Sequence, residues 1–220
     1  MSIKQPADNE PLKALEMLGK FSGEELTRTL SHIEGSVSGL RASECSTFLT
    51  GAGVAREALE AAAQLKRVAG QINVAIHALG ILLCLPHILS ADEEVEYVSL
   101  GAGNTGREFD LETSHRVAEF KFIQWRGGPE SIRQNSIFKD FFLLAESDIE
   151  KQKYLYVLGT EHPLKFLNGG RALRSVLSKD DRIREHFYTL FPHRYERVRE
   201  YYQSRRDRVT VQSSEGCRLR

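Results

Sequence analysis

Cysteine, proline and tryptophan are scarce in this chain: its 220 residues include three, six and one of them. Cys45, Cys84 and Cys217 are odd in number and show no metal-ligand spacing, so they read neither as a disulfide framework nor as a zinc site. No signal peptide opens the chain, and with reduced thiols this points to a cytoplasmic protein. A long apolar run is also missing. The stretch Leu79–Leu89 is interrupted by Pro86 and too short to span a bilayer, so it reads as a buried helix end with no membrane partner. Neither sign of charge is in excess, because thirty Lys/Arg balance thirty Asp/Glu. No whole-molecule field therefore advertises a polyanionic partner. Internal repeats and low-complexity tracts are absent.

What is present is ordinary globular material, 41% apolar and 27% charged, in a length that builds one domain with a substantial core. Residues 1–9 are polar. Residues 10–40 hold two short amphipathic patterns separated by Ser22-Gly23, where Ser22 and Glu25 resemble a capping box. From Val54 the pattern is strongly helical to Arg67, with Gly70 a point of kinking or division before the apolar segment Ile72–Leu85. Strands are expected near 95–100, 107–112 and 117–123, a helix near 130–147 and a strand near 153–158. After Gly159 the chain returns to helices, and its last eight residues read as a free tail. This order indicates an α/β or α+β fold with helices flanking a small mixed sheet. It divides into an N-terminal helical extension (1–55), a core (56–160) and a C-terminal helical region with a basic tail (161–220).

The chemistry concentrates in the segment from Gly106 to Ile123. Two runs rich in β-branched and aromatic residues flank a polar turn centred between Ser114 and His115, the signature of a hairpin. Folded about that centre, Asp110 lies opposite Glu119, with Cβ atoms roughly 4.5–5.5 Å apart. Lys121 shares the face of Glu119, since strand side chains alternate. Phe109, Leu111, Ala118, Phe120 and Phe122 make the other face apolar, as in a core sheet whose charged face lines a cleft. Two opposed carboxylates repel, and a hard divalent cation between them relieves the repulsion. A neighbouring lysine then stabilises developing charge at phosphorus or positions an attacking water. A solvated hairpin face is the plain alternative. Glu108 and Glu112 share the face of Asp110, and Glu108 faces Lys121 in this register, which suits a cross-strand ion pair.

With Asp110 and the pair Glu119/Lys121 in place, the chain resembles the PD-(D/E)xK nuclease superfamily over about residues 56–160. The resemblance implies a restriction-endonuclease-like core: helix, three-stranded meander, helix, strand, here with flanking N- and C-terminal helices. It implies Asp110 and Glu119 as ligands of Mg²⁺ or Mn²⁺ and Lys121 as the catalytic lysine. Gln134 and Phe138 sit where the RecB-like branch has a glutamine and a tyrosine, with Phe in place of Tyr. Some members take a further ligand from the preceding helix. No Asp or Glu stands between Glu60 and Asp92, so His77 is the candidate there and Gln71 the second choice. Left to itself, His77, like His87, reads first as a hydrogen-bonded core residue.

Other motifs are less informative. Gly101-Ala-Gly103-Asn-Thr-Gly106 matches G-x-G-x-x-G, but a strand rather than a helix follows, so it reads as a turn. Thr50-Gly-Ala-Gly53 reads as a helix–helix connection. Pro129 and Glu130 suit the first turn of a helix. Arg126, Arg133 and Asn135 then stand near the sheet end as candidate nucleic-acid contacts or as ordinary helix-start residues. From residue 163 onward there are fourteen Lys/Arg against seven Asp/Glu, with Arg205-Arg206-Asp-Arg208 near the end. Such a tail assists phosphate-backbone binding or forms a solvated helix face. The function expected is metal-dependent phosphodiester hydrolysis of nucleic acid, DNA before RNA. One alternative is a catalytically inactive nuclease-fold protein that binds nucleic acid or another protein. Another is an interaction module, a homodimer through its long helix.

Overall fold

A computed structural model describes residues 10–19, 25–52, 54, 56–101, 108–122, 125 and 130–215. Ser22, the glycine turn beyond Gly101, Arg126 and Cys217 lie outside them. The chain divides into two compact units, residues 1–73 and 74–220.

The first unit is helical. It contains α1 (Glu10–Met17), α2 (Glu25–Val37), α3 (Ala42–Gly51) and the start of α4 (Arg56–Ile88). Glu44 accepts a hydrogen bond from the Arg41 backbone N–H at 2.7 Å, pinning the first turn of α3. Ser46–Leu49 is helix, and α3 runs on through Thr50 and Gly51 with Ala52 as its C-cap. Helix α4 continues through Gly70, and Pro86 lies inside its last turns. No Asp, Glu, Lys or Arg stands between Arg67 and Asp92. By length and composition α4 is therefore long and apolar enough to cross a membrane. The expectation of too short a run counted only Leu79–Leu89. The uncharged residues Gly70, Gln71 and Asn73 extend it backwards.

The second unit is built on a mixed sheet: β1 (Val95–Val98), β2 (Leu111–Thr113), β3 (Arg116–Lys121), β4 (Gln152–Val157) and β5 (Thr210–Ser213), in that spatial order. The first three strands form an antiparallel meander, while β4 lies parallel to β3 and β5 parallel to β4. The β2–β3 turn falls where the sequence places it, with Leu111 opposite Ala118 and Glu112 opposite Val117. Thr113 fixes it, its Oγ1 accepting from the backbone N–H groups of His115 at 3.1 Å and Arg116 at 2.9 Å. Helix α5 (Ser131–Glu146) makes the crossover from β3 to β4, as parallel strands require.

Each sheet face is covered. Leu111, Ala118, Phe120 and Tyr156 pack with Ile81 and Cys84 of α4. Val117, Leu155 and Val157 pack with Phe138, Phe141 and Phe142 of α5. On that side α6 (Glu161–Leu167), α7 (Leu173–Leu177), α8 (Asp181–Leu190) and α9 (Val198–Arg205) complete the core.

Three expectations are corrected. Phe109 joins the α5 side of the core rather than the face of Leu111, because β2 begins only at Leu111 and residues 108–110 form a bend. Residues after Gly159 are not all helical, since β5 docks against β4, with Ser214 N–H donating to the Val157 carbonyl at 2.9 Å. The basic cluster near the end is partly structural. Arg205 Nε lies 2.7 Å and Arg208 Nη1 3.4 Å from the Glu146 carboxylate, which also accepts from Tyr201 Oη at 2.8 Å.

Candidate active site

The site forms where β3 ends beside β4. Residues 117, 119 and 121 of β3 alternate with 118 and 120. Val117 on this face enters the α5 side of the core, and Glu119 and Lys121 follow it toward α5. Asp110 sits in the bend before β2, held by its own carbonyl, which accepts from Ser99 N–H at 2.7 Å. With no strand residue there to pair, the Asp110 carboxylate takes the role of a backbone acceptor: its Oδ2 lies 3.0 Å from the Phe120 N–H. The other carboxylate oxygen meets His77 Nε2 at 3.3 Å. His77 comes from the part of α4 that crosses the sheet, and its ring contacts Phe122 edge-on at 6.2 Å. Gly80, one turn further along α4, leaves room for that ring, because a Cβ there would stand 2.6 Å from Phe122.

Lys121 Nζ lies 2.8 Å from Asp140 Oδ2 and 3.7 Å from Glu119 Oε2. The Asp140 contact is a pairing of charges rather than a well-directed hydrogen bond, for Oδ2 has no hydrogen-bond partner. Burial is deep: the side chains of Glu119 and Asp140 retain 12% and 9% of their exposure. Burial, with Asp140 and Asp110 as like-charged neighbours, pushes the Glu119 carboxyl up to about 9. Burial likewise raises Asp140, and Lys121 only partly offsets it. Asp110 moves the other way, since His77 and the Phe120 N–H outweigh its burial and hold it below the usual carboxylate range. Burial works against the Lys121 ammonium, but Asp140 and Glu119 prevail and keep it charged well above its ordinary range. Three carboxylates thus face one lysine in a partly dry site. Full ionisation leaves an excess of negative charge that only a cation or bound protons can relieve.

The fold brings together Asp110, Glu119, Lys121 and His77 of the residues singled out from sequence. Arg126 lies outside the described residues. Gln134 and Asn135 are on the first turns of α5, each with a buried side-chain oxygen lacking a hydrogen-bond partner. Gln134 lines a cavity with Trp125 and His162. Arg133, in the first turn of α5, pairs with Glu130 at the N-cap of that helix. Phe138 is core, packed with Phe142, Phe187 and Tyr201. One pairing differs from expectation. Lys121 engages Asp140 rather than Glu108, because the bend at 108–110 takes Glu108 out of the ladder. Glu112 meets Lys151 Nζ at 3.2 Å.

Asp140 was not anticipated. Its signal was a lone acid within Ile137-Phe138-Lys139-Asp140-Phe141-Phe142, on a helix whose other buried residues are apolar. Among the described residues no group of three or more His, Cys, Asp or Glu side chains is arranged to hold a metal as it stands. Asp110 and Glu119 are the adjoining oxygen donors a hard divalent ion prefers, and His77 stands behind Asp110. Comparison with family models, curated proteins and solved structures finds no match.

Proposed function

We propose that the chain is a metal-dependent nuclease of the PD-(D/E)xK kind, hydrolysing phosphodiester bonds of nucleic acid, DNA before RNA. The observation that carries this reading is the buried, acid-rich cluster of Asp110, Glu119 and Asp140 around Lys121, at the end of a helix–meander–helix–strand core. Asp110 and Glu119, with His77 alongside, would hold Mg²⁺ or Mn²⁺. Such an ion supplies Lewis acidity at the phosphoryl oxygens and a more acidic water. Lys121 is kept ammonium by Asp140 and Glu119, and so presents fixed positive charge to a phosphorane without reorganisation. His77 fixes one oxygen of Asp110 and the Phe120 amide the other, which sets the carboxylate's orientation. Asp140 acts through Lys121 as a positioning residue.

The alternative, a binding protein that keeps the core without turnover, draws on one observation: Lys121 is already held by Asp140. Incubating full-length protein with labelled single- and double-stranded DNA and RNA, in Mg²⁺, Mn²⁺ or EDTA, separates the two. Cleavage in metal alone, reduced at least about a hundredfold by Asp110→Ala and by Lys121→Ala, is expected. No cleavage of any substrate by folded wild type sinks the reading.

A further inference from the structure

Trp125, the single tryptophan of the chain, borders two hollows. One is an apolar slot of about 30 Å³ that it shares with Lys121, Ile137 and Val157. The other is a cavity of about 340 Å³ lined also by Gln134, His162, Lys165, Phe166 and Arg171. Trp125 retains 9% of its exposure, and its indole N–H has no acceptor. Gln134 Oε1, also at this cavity, is buried without a donor. Buried polar atoms are nearly always paired, so a donor and an acceptor left open beside one cavity indicate a ligand edge offering the converse pattern. The imidazole of His162 stands 6.1 Å from the indole, tilted by 38°. Lys165 and Arg171 add two cations. Among the described residues neither has an acidic partner and no Asp or Glu lines the cavity.

A hydrogen-bonding edge, a flat ring and a negative charge are features that a nucleotide combines. We propose that this cavity is a subsite for one unpaired nucleotide of a single-stranded nucleic acid. Its base packs on His162, its edge meets the Trp125 N–H and Gln134 Oε1, and its phosphates meet Lys165 and Arg171. A base within a duplex has its pairing edge occupied and its faces stacked, so it cannot enter such a cavity unless extruded. Aromatic and cationic groups serve any base, so the subsite selects strand type before sequence. Through Trp125 it borders the slot that Lys121 also lines. The inference rests on the nuclease reading and specifies the strand that site would take.

Because the chain has one tryptophan, its emission reports on the two hollows that Trp125 borders and on no other part of the chain. Full-length protein in EDTA is titrated with a single-stranded DNA of about 12 nucleotides, then with the same sequence as a duplex. The expected result is a saturable change in Trp125 emission with the single strand and at least about tenfold weaker binding of the duplex. Replacing both Lys165 and Arg171 by Ala should raise Kd about tenfold. It should also flatten the dependence of log Kd on log salt by about 0.7 per cation removed. Unchanged emission, equal duplex binding, or a double variant matching wild type overturns the proposal. Single-strand binding without cleavage in Mg²⁺ or Mn²⁺ would refute the nuclease reading and leave the subsite standing. Cleavage with unchanged emission would refute the subsite alone.

Discussion

Glu93 has no exposed side-chain surface and meets Arg116 Nε and Nη2 at 2.6 Å each, while Arg116 Nη1 donates to Tyr156 Oη at 3.0 Å. Removing one member of a buried, bidentate pair leaves the other charged and desolvated, which costs roughly 3–5 kcal/mol. Glu93→Gln should therefore destabilise the protein by about 3 kcal/mol at neutral pH, read from urea unfolding. The pH dependence has a defined sign. Burial works against ionised Glu93, but Arg116 and Thr113 outweigh it and lower the carboxyl from 4.5 to about 2. Its stabilising contribution is complete above about pH 4.5 and is lost as pH falls toward 2. The gap between wild type and Glu93→Gln should close across that window. A gap that stays constant down to about pH 2 would show that the charge of Glu93 is not what holds Arg116.

Elements meet at the site through Gly80. Helix α4 can approach β3 closely enough for His77 to reach Asp110 because residue 80 has no side chain to displace Phe122. Gly80→Ala should gain helix propensity yet lose more through overpacking, a net destabilisation of about 1–2 kcal/mol by thermal melting. On the nuclease reading proposed above, the same shift should raise the metal concentration needed for half-maximal cleavage, since Phe122 follows Lys121 in the chain and contacts the His77 ring. Stability equal to wild type would mean that the ring moves aside freely. At this scale the sequence was legible where a period persisted. The alternation of β3, the long apolar stripe of α4 and the polar turn at Ser114–His115 gave the hairpin register, and with it Asp110, Glu119 and Lys121. His77 followed from the family resemblance, since no Asp or Glu stands between Glu60 and Asp92. Legibility failed where tertiary context decides. The bend at 108–110 interrupts an unbroken alternating pattern, so β2 was drawn too long and Phe109 was set on the wrong face. Thr210–Ser213 is four residues of unremarkable propensity that become strand only because β4 offers an open edge. Asp140 and the Trp125 cavity join residues distant in sequence, which no local pattern records.

Taken whole, the molecule carries no net formal charge and has a sequence pI of about 7.1. Like-charge repulsion between copies is then weakest near neutrality. In the second unit α4 buries Ile81 and Cys84 but exposes Leu79, Leu82 and Leu83, so apolar contact is open where repulsion is least. Solubility should pass through a minimum near pH 7 and rise severalfold by about pH 5.5 and about pH 8.5, measured as protein left in the supernatant at saturation. A flat profile would show that surface charge does not govern association.

The strand order has a temporal consequence. Tyr154 pairs with Thr210 and Val157 with Ser213 across four intervening helices. Closing so long a loop must precede any gain from the pairing, which makes β5 the last strand to dock. By the same reasoning it is the first to leave in sub-global opening, when its amides would exchange with deuterium ahead of those of β3. Each such excursion uncovers the edge of β4, a row of unpaired amides beside Leu155 and Val157, and makes the vulnerability of the fold to aggregation a matter of how often its final strand lets go.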